Sequence, residues 1–139
     1  MTVIAVTAAQ VRALTENGAV LLPPLLAGGT ITIGDLVYMG TGGTVVAADA
    51  NVSSAATKAI GIAVESFDGE TSVASGNPVS VCCFGPVSGY SGMTPGANVW
   101  VSDTVGRLDD AAGTFDRIIG WALSAGIVFV NPEQNTPAS

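Results

Sequence analysis

Apolar and polar positions alternate through much of this chain with the period of two expected of half-buried strands. Thr30-Ile-Thr-Ile33 alternates cleanly, and short apolar runs follow at residues 36–39, 45–46, 60–64, 78–84, 99–101, 107–108, 118–123 and 126–130. Turn signals separate them. Thr41-Gly42-Gly43 reads as a hairpin turn, Ser66-Phe-Asp-Gly69 reverses the chain, and a further turn falls at residues 103–106. Pro78 stands at the first position of its run, where a missing backbone donor matters least. Short strands at such intervals predict an all-β fold, a small antiparallel β-barrel or sandwich. Residues 85–95, rich in Gly, Ser and Pro, read as a surface loop that would present Tyr90 and Met93 as possible contact residues.

The pattern is written twice. Lys58-Ala-Ile-Gly-Ile-Ala-Val64 is echoed by Arg117-Ile-Ile-Gly-Trp-Ala-Leu123, and Gly34-Asp-Leu-Val-Tyr-Met39 by Gly96-Ala-Asn-Val-Trp-Val101. Each half continues through a turn into a short strand, Gly43-Thr-Val-Val-Ala47 in one and Gly106-Arg-Leu108 in the other. Two copies are too few for a solenoid, which needs about three. They predict two pseudo-equivalent units folded together, with Gly61 and Gly120 at points where side chains from a neighbouring layer come close. Trp100 aligns with Tyr38 and Trp121 with Ile62, and core or interface packing is the expected use of both tryptophans.

The first third differs, and the chain divides into an N-terminal arm at 1–29, a β-barrel domain at 30–132 and a flexible tail at 133–139. Thr7-Ala-Ala-Gln10 has the form of a capping box, which predicts a short helix over residues 8–16, stopped by Asn17-Gly18. An extended segment then runs through Val20, Leu21, Leu22, Pro23, Pro24, Leu25 and Leu26, because the proline pair excludes helix and central-strand pairing. Ordering about eight residues costs roughly 8 to 16 kcal/mol. Burying the five aliphatic side chains returns roughly 7 to 15 kcal/mol. The near balance marks these seven residues as the expected contact with another subunit or a larger partner.

Composition narrows the partner. Charged residues make up 11% of the 139, against about 25% in an ordinary domain, and mean hydropathy is +0.54. Much apolar surface must remain after folding, which points to a protein partner and to self-association, as a trimer or alternatively a dimer. No stretch approaches the roughly 18 apolar residues of a spanning helix, and the N-terminus lacks a basic region ahead of its apolar residues, so neither membrane insertion nor a secretory leader is expected. Four basic residues against eleven acidic ones give a net charge of −7, with Arg12, Lys58, Arg107 and Arg117 scattered, so nucleic acid is not an expected partner.

Little chemistry is written in the chain. The absence of histidine excludes Ser-His-Asp, Cys-His and His-ligated zinc sites. Cys82 and Cys83, adjacent on a strand, should point to opposite faces as free thiols. Asp103, Asp109, Asp110 and Asp116 fall in turns, where carboxylates serve local hydrogen bonds, and their spacing fits no EF-hand loop. Gly40-Thr-Gly-Gly43 lacks the lysine and following helix of a phosphate loop. Asn51-Val-Ser53 is a formal glycosylation sequon with nothing else to support it. The expectation is a protein that is not an enzyme, with no cofactor, no metal and no catalytic residue.

Gly-Ala-Asn-Val-Trp-Val-Ser102, then Gly-Arg-Leu108, Arg-Ile-Ile-Gly-Trp-Ala-Leu-Ser124 and Ile-Val-Phe-Val-Asn-Pro132, resembles the capsid cement (head decoration) proteins of tailed bacteriophages. The first unit carries the same phrase, so the resemblance covers about residues 30–132. It implies a small β-barrel, made in the host cytoplasm, that binds the major capsid protein on the outer surface of the virion and stabilises the lattice. The rival reading is a virion-displayed fibre or receptor-binding β-domain, contacting its target through the loop at 85–95. The first 29 residues lie outside the resemblance, and their gripping role rests on the physical argument alone.

Overall fold

The glycines at 40 and 43 close the first hairpin, Gly40 N–H donating to the Thr44 carbonyl at 2.8 Å while Gly43 turns at φ 82°. In the computed structural model, which describes residues 2–132, that hairpin ends one side of a curled antiparallel sheet. Its principal strands are β1 (Leu36–Met39), β2 (Val45–Ala47), β3 (Ala59–Ser66), β4 (Pro78–Ser88), β5 (Asn98–Val101), β6 (Leu108–Asp109), β7 (Ile118–Ala122) and β8 (Ile127–Val130). The order across the sheet is β6-β5-β7-β8-β4-β3-β1-β2. The protein is all-β, a half-barrel that fits the expected small barrel or sandwich. No helix among the described residues is long and apolar enough to cross a membrane. The flexible tail expected at 133–139 lies outside the described residues.

That order reads as two mirrored halves, β2-β1-β3-β4 and β6-β5-β7-β8, joined between β4 and β8. The register repeats as well. Val37 faces Gly61 and Tyr38 faces Ala59, so Ile60 is skipped; Val99 faces Gly120 and Trp100 faces Ile118, so Ile119 is skipped. Both units therefore carry a β-bulge beside the repeated glycine. A side chain at Gly61 would run into the Cys82 carbonyl, and one at Gly120 into the Phe129 carbonyl. The close neighbour is thus the backbone of the next strand, not side chains of another layer.

One core gathers both units, with Leu36, Val37, Ile62, Val81, Val99, Ile119, Val128 and Val130 fully or almost fully buried. Arg117, the partner of Lys58 in the repeat, is 1% exposed and its Nε donates to Thr57 Oγ1 of the other unit at 3.4 Å.

The N-terminal third departs from expectation in two ways. The helix over 8–16 is absent: Ala8–Gln10 and Thr15–Asn17 are single 3-10 turns, and Thr7 makes no side-chain capping bond. Between them Arg12–Ala13 pairs with Ser88 and Val87 of β4, while Val11 is buried. A helix of nine residues is marginal alone, and the sheet offers this backbone both ladder partners and a core position. The boundary between 29 and 30 is also not a structural break. Residues 2–28 form a strap bonded to the sheet along their length. Ile4 N–H donates to the Leu108 carbonyl at one sheet edge, and Gly28 N–H to the Val45 carbonyl at the other. Between these ends Ala5–Val6 pairs with Tyr90–Ser91, and Val20–Leu21 and Leu25–Leu26 pair with β4. The strap passes over β4 at Gly85, where φ is 107° and a Cβ would meet the Ala19 Cα at 2.6 Å.

Candidate functional site

The seven residues expected to contact a partner lie in the middle of the strap. Leu21 and Val20 stand beside Cys82 and Phe84, with Cys83 bulged between, so the two side chains point to opposite faces. Leu22 N–H donates to the Val81 carbonyl at 2.9 Å, and Leu25 and Leu26 stand beside Val79 and Pro78. Pro23 and Pro24 interrupt the ladder between these pairings and are exposed. The segment is extended, as expected, yet it is pinned by backbone bonds to an edge of β4. Leu22 and Leu25 pack partly against the core. Val20 remains 50% exposed, Leu21 41% and Leu26 50%. The outcome is an apolar strip held in a defined shape and left half open to solvent.

Tyr90 and Met93 are corrected. The expected surface loop at 85–95 is shorter than that range: β4 continues to Ser88 and Tyr90–Ser91 pairs with the strap, which leaves residues 92–95 as loop, with Gly92, Thr94 and Pro95 exposed. The Tyr90 and Met93 side chains are 7% exposed and belong to the core. The Tyr90 hydroxyl donates to the Gly34 carbonyl at 2.8 Å, and burial, with Asp35 nearby, pushes its pKa up. A run of Gly, Ser and Pro was compatible with a strand here because glycines at 85 and 89 let the strap's backbone pass against it; a Cβ at Gly89 would meet the Val11 Cα at 2.7 Å.

Cys82 and Cys83 are free thiols, Cys82 buried and Cys83 half-buried. Burial raises the Cys82 pKa, which keeps the thiol protonated and unreactive. Asp103, Asp109 and Asp110 have local duties. Asp109, 1% exposed, accepts from Ser102 Oγ at 3.0 Å, Asp110 from Thr2 N–H at 2.7 Å, and Asp103 from Thr114 N–H at 2.8 Å. Among the described residues no group of three or more His, Cys, Asp or Glu side chains is arranged to hold a metal ion.

The surroundings of Asp35 shift its pKa strongly, up to about 6. Burial is the main cause, opposed by the Thr32 N–H, which donates to Oδ2 at 3.0 Å, and by the Arg107 charge. It stands where the units meet: Gly106 packs against its carboxylate, and the Gly106 carbonyl accepts from Leu36 N–H at 2.9 Å. Arg107 itself donates to the Ile4 carbonyl of the strap at 2.8 Å.

A second exposed apolar feature escaped the sequence reading. Trp121, 39% exposed, stacks on Phe129 at 5.2 Å between ring centroids, and Phe84, 44% exposed, meets Phe129 edge-on at 5.1 Å. Val20 stands beside Phe84. Trp121 and Phe129 face each other across one hairpin, but Phe84 and Val20 come from segments far from it in sequence, so no spacing announces the cluster. The one available signal was a mismatch within the repeat, a tryptophan at 121 where the first unit has Ile62. The chain matches no family model and no curated protein.

Proposed function

We propose that this protein is a structural component of a bacteriophage head, binding the major capsid protein on the outer surface of the shell and stabilising the lattice. The observation that carries the reading is the strip Leu21 to Leu26, apolar, half-exposed and already held in extended form by its ladder to β4. A segment ordered before docking loses little conformational entropy on binding, and the proline pair reduces that loss further. Low charge supports the same reading, because a protein retained by many apolar contacts has little use for ionic ones. So does the resemblance of both repeated units to capsid cement proteins. The side-chain inventory suits a non-enzymatic role: no histidine, a protonated buried thiol, and Asp103 and Asp109 committed to local bonds. The fibre or receptor-binding alternative loses Tyr90 and Met93 as contact residues, since both are in the core.

The test replaces Leu21 and Leu26 together with Ser and measures co-sedimentation with expanded, undecorated capsids. Both side chains are about half open, so their remaining burial on docking should contribute about 1 kcal/mol each. The double variant should keep its melting temperature to within a few degrees and bind capsids at least tenfold more weakly. Occupancy equal to wild type would remove the strip from the contact, and a wild-type protein that never co-sediments would sink the capsid reading altogether.

A further inference from the structure

Trp121 and Phe129 occupy, in the second unit, the positions that Ile62 and Cys82 occupy in the first: each pair is directly cross-strand, next to the repeated glycine and its bulge. Ile62 and Cys82 are wholly buried, in a core that also holds Val11 and Tyr90 and has Val6 packed against it. The matching face of the second unit carries larger side chains and has no such cover. Phe84, Phe129 and Trp121 form a row across three neighbouring segments, about 10 Å at the usual strand spacing, and Val20 stands beside Phe84 at its end. Leu123, 46% exposed, extends it two residues beyond Trp121.

We propose that this row is the contact face for a second copy of the chain, row against row about a two-fold axis. Charge argues for this occupant. The chain has a net charge of −7, so two copies repel over most of their surfaces, yet none of the five residues of the row is charged. A surface of uncharged rings and aliphatic groups is complementary to itself, which an isologous contact requires. Area argues the same way. Phe84 and Trp121 alone leave on the order of 200 Å² open, taking 150 to 250 Å² for a whole aromatic side chain. With Val20 and Leu123, each about half open, two facing rows supply much of the roughly 1,000 Å² at which a specific contact begins. The strip at Leu21 to Leu26 stays available, because Leu21 points to the face opposite Val20.

The experiment is sedimentation equilibrium of the free full-length protein from about 1 to 100 μM, with Trp121→Glu and Leu123→Glu compared to wild type and circular dichroism run on each. Wild type should reach the mass of a dimer, and both charged variants should be monomers with unchanged dichroism, their self-association weakened at least tenfold. If Trp121→Glu loses the native spectrum, Leu123→Glu at the rim decides alone. A wild-type monomer at every concentration, a trimer, or a dimer indifferent to these charges would overturn the proposal. Capsids take no part in the measurement, so its failure and that of the capsid reading are distinguishable.

Discussion

Asp35 shows how a single residue reports on the junction between the units. Its carboxyl loses its proton near 3.8 in an unfolded chain and near 6 in the folded protein, because burial disfavours the charged form. Between those values the folded state holds more protons than the unfolded one, so this group's contribution to stability is full below pH 4 and is lost as pH rises to about 6. Asp35→Asn keeps an acceptor for the Thr32 N–H and removes the titration. The difference in melting temperature between wild type and variant should therefore change between pH 4 and 6 and stay constant above about pH 7. Parallel profiles across that range would mean that Asp35 is not buried at the junction. Sequence shows Asp35 only as a turn residue after Gly34; its partners Gly106 and Arg107 come from the other unit.

At the scale of elements, the repeated glycine and its bulge define each unit. Gly61 and Gly120 sit where a neighbouring carbonyl fills the space a Cβ would take, Cys82 in one unit and Phe129 in the other. Backbone at that distance can yield only by moving a strand, so the penalty should exceed ordinary overpacking. Gly61→Ala and Gly120→Ala should each cost about 3 kcal/mol or more, read from the urea midpoint at constant m. A cost below about 1 kcal/mol at either position would show that the strands are not so closely apposed. The repeat made these glycines legible as equivalent. What approaches them was not legible, because a bulge depends on the partner strand's register.

For the whole molecule, the strap decides whether the sheet is a closed unit. It caps one edge at Leu108, crosses β4 at Gly85 and reaches the other edge at Val45. It also supplies Ile4, Val11, Ala19 and Ala27 to the core. Ile4 and Val11 alone should contribute roughly 3 to 6 kcal/mol by burial. That is comparable with the total stability of about 5 to 15 kcal/mol usual for a domain. Deleting residues 2–28 should therefore abolish cooperative thermal unfolding and strongly reduce the β-signal in circular dichroism. A truncated protein that melts like wild type would restore the picture of a separable arm on an independent barrel.

Alternation, turn residues and the written-out repeat determined the fold class and the equivalence of Gly61 with Gly120, because these are carried by local pattern and its repetition. Tertiary structure decided the rest. Capping-box residues at 7–10 became a 3-10 turn since β4 supplied a ladder and the core a place for Val11. Tyr90 and Met93 went inside since the strap covered their segment. Phe84 joined Phe129 and Trp121 in one surface since the strand at 78–88 lies beside a hairpin about forty residues further along the chain. In each case the deciding free energy comes from a contact whose partner is many residues away, and local pattern carries no record of that partner.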